Sequence, residues 1–255
     1  CRDLHKLRDG LLRATVLVCD SQATLSACKQ HFPDIESVCV PLGLRVQSFT
    51  PVAQDSIDVL TPARDFTKKC HLLIVGSHAP RKRLEFLCKV LGELDGDVKK
   101  NIQIHHVGNE NCPYGGPSAS SYARAHKVLN WTSHGGEVSS EALMQMRFAS
   151  EALLFPSASE GFGYPPLEAM ASGTPVLCSN LPSHNELMPD DTCLRPDDKE
   201  AWKEAILSVH SNWKNRTKND AEHSWPKPRS GLIEFATRFD QSRFCARMAE
   251  VYDSL

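Results

Sequence analysis

Short apolar runs alternate with segments of helical character along most of this 255-residue chain. The run 71–77 (HLLIVGS) is followed by a predicted helix over 82–94 and then by the run 102–108 (IQIHHVG). A third run, 151–157 (EALLFPS), has no polar alternation, which is typical of a buried strand in a parallel sheet. Strands and helices that alternate at this spacing form βαβ units with right-handed crossovers. The sequence therefore predicts an α/β fold built on a parallel sheet.

Further elements of the same kind lie before, between and after these runs. The predicted strands cover 14–20, 37–43, 130–134, 176–180 and 192–196, and the predicted helices cover 21–31, 140–149, 201–210 and 232–252. Asp197 and Glu200 are spaced to form a capping box at the start of helix 201–210. Residues 211–231 are charged, contain prolines and show no periodicity, which predicts a surface loop.

The composition excludes several classes of protein. A formal net charge of -2 leaves the chain without an electrostatic footprint for nucleic acid. No apolar run approaches the roughly 18 residues that span a bilayer, so contact with a membrane is expected to be peripheral at most. The ten cysteines form no CxxC pair and no zinc spacing, which favours a reduced, cytoplasmic location.

Segment 160–176 (EGFGYPPLEAMASGTPV) places two carboxylates, three glycines and three prolines around one predicted strand-to-helix turn. Pro165 and Pro166 suit a first helical turn, because proline is fixed in φ and has no N–H to donate. The remaining free N–H groups can hold an anionic or sugar oxygen with the helix dipole behind it. These groups are expected on Phe162, Gly163, Tyr164 and Leu167.

The two glutamates of this segment are Glu160 and Glu168. Since Glu160 lies in the predicted loop and Glu168 in the first helical turn, we expect the two side chains to contact different parts of one ligand. Each glutamate taken alone has a simpler explanation. Glu160 then is a solvated loop carboxylate, and Glu168 is a partner of the helix dipole.

The order Glu, Gly-Phe-Gly, Pro, Glu, Ala-Met-Ala, Gly and Pro-Val in this segment resembles the signature of the family 4 retaining glycosyltransferases, which have the GT-B fold. The resemblance implies a Rossmann-like parallel sheet that binds a nucleotide-sugar donor. It also implies that Glu160 is the catalytic contact to the donor sugar and that Glu168 binds the ribose hydroxyls. The loop from Gly161 to Tyr164 would contact sugar and diphosphate through its backbone.

A basic loop follows the first of the apolar runs and begins at Gly76. In the family, an arginine directly after this glycine and a lysine five residues further on neutralise the donor diphosphate. Lys82 stands at the lysine position, whereas Ser77 stands at the arginine position. The resemblance therefore requires Arg81 or Arg83 to supply the second charge, since a guanidinium binds phosphate through two hydrogen bonds and a hydroxyl does not. Without the resemblance, the loop is a solvated basic segment or a localisation signal.

The resemblance assigns two more positions to the donor site. Val138 stands where related proteins contact the nucleotide base through the backbone, and Gly108 is a turn glycine that lines the cleft. His105 and His106 are neighbours in one predicted strand and face opposite sides, which argues against a two-histidine metal site. His184 lies near a predicted helix start, where we expect a surface position. The family's donor site generally does not depend on a divalent ion, so no metal and no cofactor are expected.

The resemblance also divides the chain. Residues 1–45 look like the last part of an acceptor-side N-terminal domain, 46–69 like a linker, and 70–231 like the nucleotide-sugar-binding domain. Residues 232–255 resemble the helix that crosses back to the N-terminal domain in GT-B enzymes. Since such an enzyme has two Rossmann-like domains and the first is represented here by its tail, a fragment, a processed chain or one part of a split enzyme is expected.

The activity that the resemblance implies is retaining transfer of a hexose, mannose or glucose, from a UDP-, GDP- or ADP-sugar to a hydroxyl of a glycan, lipid or protein. The alternative is a non-catalytic nucleotide-sugar-binding subunit that requires a partner chain. A GT-B epimerase or phosphorylase is a third hypothesis, but no pyridoxal phosphate lysine site is identifiable in the sequence.

Overall fold

The computed structural model describes residues 2–49, 68–136, 138–189, 192–215 and 229–255. Within these ranges the strands are β1 (Val16–Cys19), β2 (Glu36–Cys39), β3 (Cys70–Val75), β4 (Ile102–Val107), β5 (Trp131–Ser133), β6 (Ala152–Phe155) and β7 (Val176–Cys178). Strands β3 to β7 form one five-stranded sheet in the order β5-β4-β3-β6-β7, and β1 pairs with β2 in a separate sheet. Every strand pair is parallel, which confirms the predicted α/β fold.

The helices of the described ranges are α1 (Arg2–Leu11), α2 (Gln22–His31), α3 (Leu84–Gly92), α4 (Gly96–Asn101), α5 (Ala119–Ala125), α6 (Ser140–Ala149), α7 (Tyr164–Ala171), α8 (Pro182–Leu187), α9 (Lys199–Asn215), α10 (Arg229–Ala236) and α11 (Gln241–Asp253). Serine N-caps begin three of them, because the hydroxyl of Ser21, Ser118 or Ser139 accepts a free N–H of the first turn. None of the described helices is long and apolar enough to cross a membrane.

The central sheet is covered on both faces. Leu72, Ile104 and Leu154 point to one face, where they pack under α3, α5 and α9 around the fully buried Trp202. Leu73 and Leu153 point to the other face, which α7 and α10 cover. Burying a large apolar side chain stabilises the fold by about 1.5–3 kcal/mol. The continuous apolar pattern of the strands therefore follows from burial on both faces.

Two predicted helices are shorter than expected. The helix predicted over 82–94 begins at Leu84, because Pro80–Lys82 forms a 3-10 turn and Arg83 has a left-handed backbone with φ of 54°. The helix predicted over 232–252 is two helices, α10 and α11, which are separated by the 3-10 turn Thr237–Phe239. The helices α1, α4 and α5 were not predicted.

The predicted cap of α9 and the bounds of the predicted loop 211–231 change as well. The cap of α9 is Asp198 rather than Asp197, since the Asp198 carboxylate accepts the N–H of Ala201 at 3.0 Å. At the start of the predicted linker, Val46 is buried in a 3-10 turn, and 50–67 lie outside the described residues. The ends of the predicted loop 211–231 belong to α9 and α10, and its middle lies outside the described residues.

Candidate functional site

The carboxyl ends of β3 and β4 meet at two glycines. The N–H of Gly76 donates to the Val107 carbonyl at 2.9 Å, and Gly108 lies directly against Gly76. A Cβ on Gly108 would be 1.9 Å from the Gly76 oxygen, so a side chain does not fit there. A Cβ on Gly76 would approach Lys82 Cε to 3.4 Å. The two predicted site glycines thus leave room for the lysine at the end of the sheet.

Two cations converge on the carboxylate of Glu160. Lys82 Nζ lies 2.6 Å from Oε1, and Arg81 Nη1 lies 2.6 Å from Oε2. The Lys82 ammonium also lies 4.6 Å from the centroid of the Phe155 ring, which holds the side chain at the end of β6. Burial alone would raise the pKa of Glu160, but the hydrogen bond from Lys82 and its positive charge hold the pKa below its ordinary value. The carboxylate is therefore ionised at neutral pH.

Arg83 does not reach this group. Its guanidinium lies 2.5 Å from the Asp197 carboxylate and donates to the Pro196 carbonyl at 2.6 Å. It also lies over the Phe86 ring, 4.4 Å from the centroid. Of the two arginines that could complement Ser77, the structure brings Arg81 to Lys82 and Glu160, and turns Arg83 away.

The loop between β6 and α7 presents unused backbone donors. The N–H groups of Phe162, Gly163 and Tyr164 have no hydrogen-bond partner among the described residues. Leu167 differs from the prediction, because its N–H donates to the Gly163 carbonyl within the helix. Gly163 has φ of 121°, a conformation that favours glycine, and a Cβ there would be 3.0 Å from the Leu187 side chain.

Side chains from α2 and α8 anchor this loop. The hydroxyl of Ser183 donates to the Glu160 carbonyl at 2.9 Å, and the hydroxyl of Ser21 donates to the Gly161 carbonyl at 3.1 Å. Glu186 on α8 in turn accepts the first two N–H groups of α2, at 2.7 and 2.8 Å. Neither serine was predicted, since nothing in a local pattern links residues this far apart in sequence.

Glu168 is paired with a buried arginine. Arg147 on α6, 3% exposed, donates through Nη2 to Glu168 Oε2. Burial lowers the pKa of Arg147, whereas the Glu168 charge acts in the opposite direction. Arg147 was not predicted as a site residue; the one signal for it was a charged residue in an otherwise apolar helix face. Glu168 is therefore more than a helix-dipole partner in this fold.

His184 lies in the interior, and the predicted surface position was wrong. Its Nδ1 lies 2.9 Å from the Ser179 carbonyl oxygen and 3.1 Å from Cys178 Sγ. The ring contacts Phe155, with centroids 5.4 Å apart. Burial lowers the pKa of His184, which keeps the imidazole neutral. The cause is that α8 packs beneath the loop that carries Gly163, so the first turn of this helix is covered.

Three histidines form a hydrogen-bonded row across β3, β4 and β5. His105 Nε2 lies 2.8 Å from His71 Nδ1, and His105 Nδ1 lies 3.0 Å from His134 Nε2. His106 faces the other side of the sheet, as predicted, and contacts the Gly76 carbonyl at 3.2 Å. No group of three His, Cys, Asp or Glu side chains among the described residues is arranged to hold a metal ion.

The remaining predicted residues lie at the rim of the sheet. Ser77 is exposed beside Gly76, and both line a small cleft with Lys82. Val138 directly precedes the N-cap of α6 and packs partly buried against the cluster under α7. Its backbone contact to a base stays a prediction.

The sequence model described as glycosyl transferases group 1 matches residues 62–222. The chain belongs to this glycosyltransferase family. Among curated proteins, the O-antigen chain mannosyltransferase RfbU of Salmonella typhimurium is 42% identical over 74 residues, which are 29% of this chain and 21% of that protein. The O-antigen chain mannosyltransferase B of Escherichia coli is 40% identical over 78 residues, 30% of this chain and 20% of that protein. The matches thus span about a fifth of each relative.

Solved structures of other proteins have the same fold. Sucrose-phosphate synthase of Thermosynechococcus elongatus superimposes with a TM-score of 0.75 at 21% identity, over 96% of this chain and 59% of that one. Anabaena HepE in complex with UDP and glucose superimposes with a TM-score of 0.72 at 17% identity, over 95% of this chain and 64% of that one. The predicted GT-B, Rossmann-like architecture is confirmed for this glycosyltransferase chain.

Proposed function

We propose that this chain holds the nucleotide diphosphate sugar of a retaining glycosyltransferase. The observation that carries the proposal is the convergence of Lys82 and Arg81 beside Glu160 at the carboxyl end of the sheet. Ligands of open parallel sheets bind at this end. Three N–H groups of the adjoining loop, which have no partner in the part of the chain that the structure describes, add donors that suit phosphate oxygens.

The cations and the loop would act on the leaving group. As the bond between the sugar carbon and the diphosphate oxygen breaks, negative charge develops on the diphosphate. This charge would be stabilised by the cations Lys82 and Arg81 and by the loop N–H groups. Stabilising developing charge with preorganised groups is usually the largest single contribution to a lower barrier. A diphosphate that binds both cations also takes over their pairing with Glu160, which frees this carboxylate to orient the sugar hydroxyls.

Mannose is the first candidate for the transferred sugar and glucose is the second. Two relatives that share 40% or more identity over short stretches are named mannosyltransferases. The glucose hypothesis rests on fold likeness to HepE, whose structure contains UDP and glucose. The proposed acceptor is a hydroxyl of a glycan, lipid or protein.

Calorimetric titration of the 255-residue chain with UDP, GDP and ADP tests the donor site. One diphosphate should bind more tightly than its own nucleoside, because Lys82, Arg81 and the loop N–H groups are proposed to bind the phosphates. The matching mannosyl and glucosyl nucleotides should then compete with that diphosphate. If none of the three diphosphates binds, or if nucleoside and diphosphate bind equally, the site is not a nucleotide-sugar site.

A further inference from the structure

The Arg147–Glu168 pair joins the two helices that flank the end of the predicted nucleotide site. Arg147 lies near the end of α6, and Glu168 lies in α7, 21 positions further along the chain. The pair is asymmetric in burial, since the Arg147 side chain is 4% exposed and the Glu168 side chain 22%. The arginine end of the pair is thus fixed in the interior, and the glutamate end is partly exposed to solvent.

Only one carboxylate oxygen of Glu168 is used by the arginine. Arg147 donates to Oε2, while Oε1 has no hydrogen-bond partner among the described residues. When one oxygen of a carboxylate is held by a hydrogen bond, the other oxygen points in a fixed direction. The carboxylate still has lone pairs that can accept further hydrogen bonds. This arrangement suits a vicinal pair of hydroxyls, which approach a carboxylate edge side by side.

The surroundings fix Arg147 more firmly than an ordinary surface pair would. The Phe49 ring lies 5.5 Å from the guanidinium carbon, and the Thr174 hydroxyl donates to the Arg147 carbonyl at 2.6 Å. The Ser172 hydroxyl likewise donates to the Glu168 carbonyl at 3.0 Å. A buried guanidinium is costly to desolvate unless it is paired, so Arg147 and Glu168 depend on each other in this position.

We propose that Arg147 is a positioning residue that aims the Glu168 carboxylate at the two ribose hydroxyls of the donor nucleotide. The inference rests on the proposed function, because it assumes that a nucleotide binds in this cleft and that Glu168 meets its ribose. It adds the residue that sets the direction of the ribose contact.

The test compares affinities for one nucleoside diphosphate and for its 2′-deoxy form. The ligand is whichever of UDP, GDP and ADP binds the unaltered chain most tightly. Arg147→Met should reduce the ratio of the two affinities to near one, because the carboxylate loses its direction. Since a hydrogen bond to a charged group is worth roughly 10- to 150-fold in affinity, the ribonucleotide should lose at least about 10-fold and the deoxynucleotide much less.

Two further variants keep the result interpretable if Arg147→Met folds poorly. Arg147→Lys retains the charge and should retain part of the discrimination. Glu168→Gln should abolish the discrimination as Arg147→Met does, and the double variant should be no worse than either single one. Arg83→Met is the matched control, since it removes another arginine–carboxylate pair that does not contact Glu168. It should leave the ratio unchanged.

The outcomes separate the two proposals. Failure of all three diphosphates to bind overturns the proposed function and this inference with it. If the unaltered chain binds a ribonucleotide but does not discriminate against the deoxy form, Glu168 does not meet the ribose and the inference is wrong while the donor site stands. A discriminating chain whose ratio survives Arg147→Met in full would assign Arg147 to stability alone.

Discussion

Replacing Lys82 by methionine removes one positive charge from the proposed diphosphate site and keeps the aliphatic stem that packs beside Gly76 and Phe155. Hydrogen bonds to charged groups contribute about 1.5–3 kcal/mol, which corresponds to roughly 10- to 150-fold in affinity. We expect Lys82→Met to weaken diphosphate binding by this factor and to leave nucleoside binding unchanged, because the ammonium faces the phosphates. Calorimetric titration with both ligands measures the difference.

The structure adds a second contribution to the Lys82 effect. Of the two cations that pair with Glu160, the Lys82→Met variant keeps Arg81. More of the negative charge of Glu160 then repels the incoming diphosphate. The double variant Lys82→Met/Glu160→Gln should therefore regain part of the lost diphosphate affinity. Lys89→Met is the control, since it breaks a lysine–glutamate pair on the outside of α3. Equal losses for nucleoside and diphosphate in Lys82→Met would refute the assignment.

Two predictions concern the scaffold. Gly108→Ala places a Cβ 1.9 Å from the Gly76 oxygen and should lower the free energy of unfolding in urea by about 1–3 kcal/mol, whereas Gly96→Ala, with open space around it, should not; equal effects would contradict the close approach. Burial, then His71 and His134, lower the pKa of His105 to about 4, so the folded state keeps it neutral while the unfolded chain takes up a proton. The contribution of neutral His105 to the free energy of unfolding should be fully present above pH 6.5. It should fall by at most about 3 kcal/mol as the pH is lowered from 6.5 to 4. Urea titrations at several pH values measure this dependence, and the free energy of unfolding should fall less steeply with decreasing pH in His105→Gln. If the slope against pH is unchanged in this variant, protonation of His105 is not the cause.

The parts of the site that the sequence predicted are those whose geometry is local. The glycines and prolines of segment 160–176 determine a turn and a helix start through their own backbone preferences. The same holds for Gly76, which ends an apolar strand. Local preference thus predicted both the sheet edge and the loop that faces it.

The parts that the sequence did not predict depend on contacts between distant segments. Arg147 meets Glu168 across 21 positions of sequence, and Ser21 meets Gly161 across 140 positions. The burial of His184 likewise follows from the loop that covers it, whereas its polar neighbours Asn185 and Glu186 gave the segment the pattern of a surface helix. The sequence alone did not show which of Arg81 and Arg83 supplies the second charge. In the structure, the left-handed backbone of Arg83 directs its side chain away from that of Arg81.

The hydrogen bond from Ser21 to the Gly161 carbonyl, with the Glu186 bonds to α2 beside it, has a thermodynamic consequence. It connects the β1–α2 unit directly to the loop that carries the proposed donor contacts. If a ligand favours the present position of α2 through this loop, the present position of α2 must favour the ligand by the same free energy, because linkage is reciprocal. Any change that separates α2 from the loop would therefore weaken the binding of that ligand.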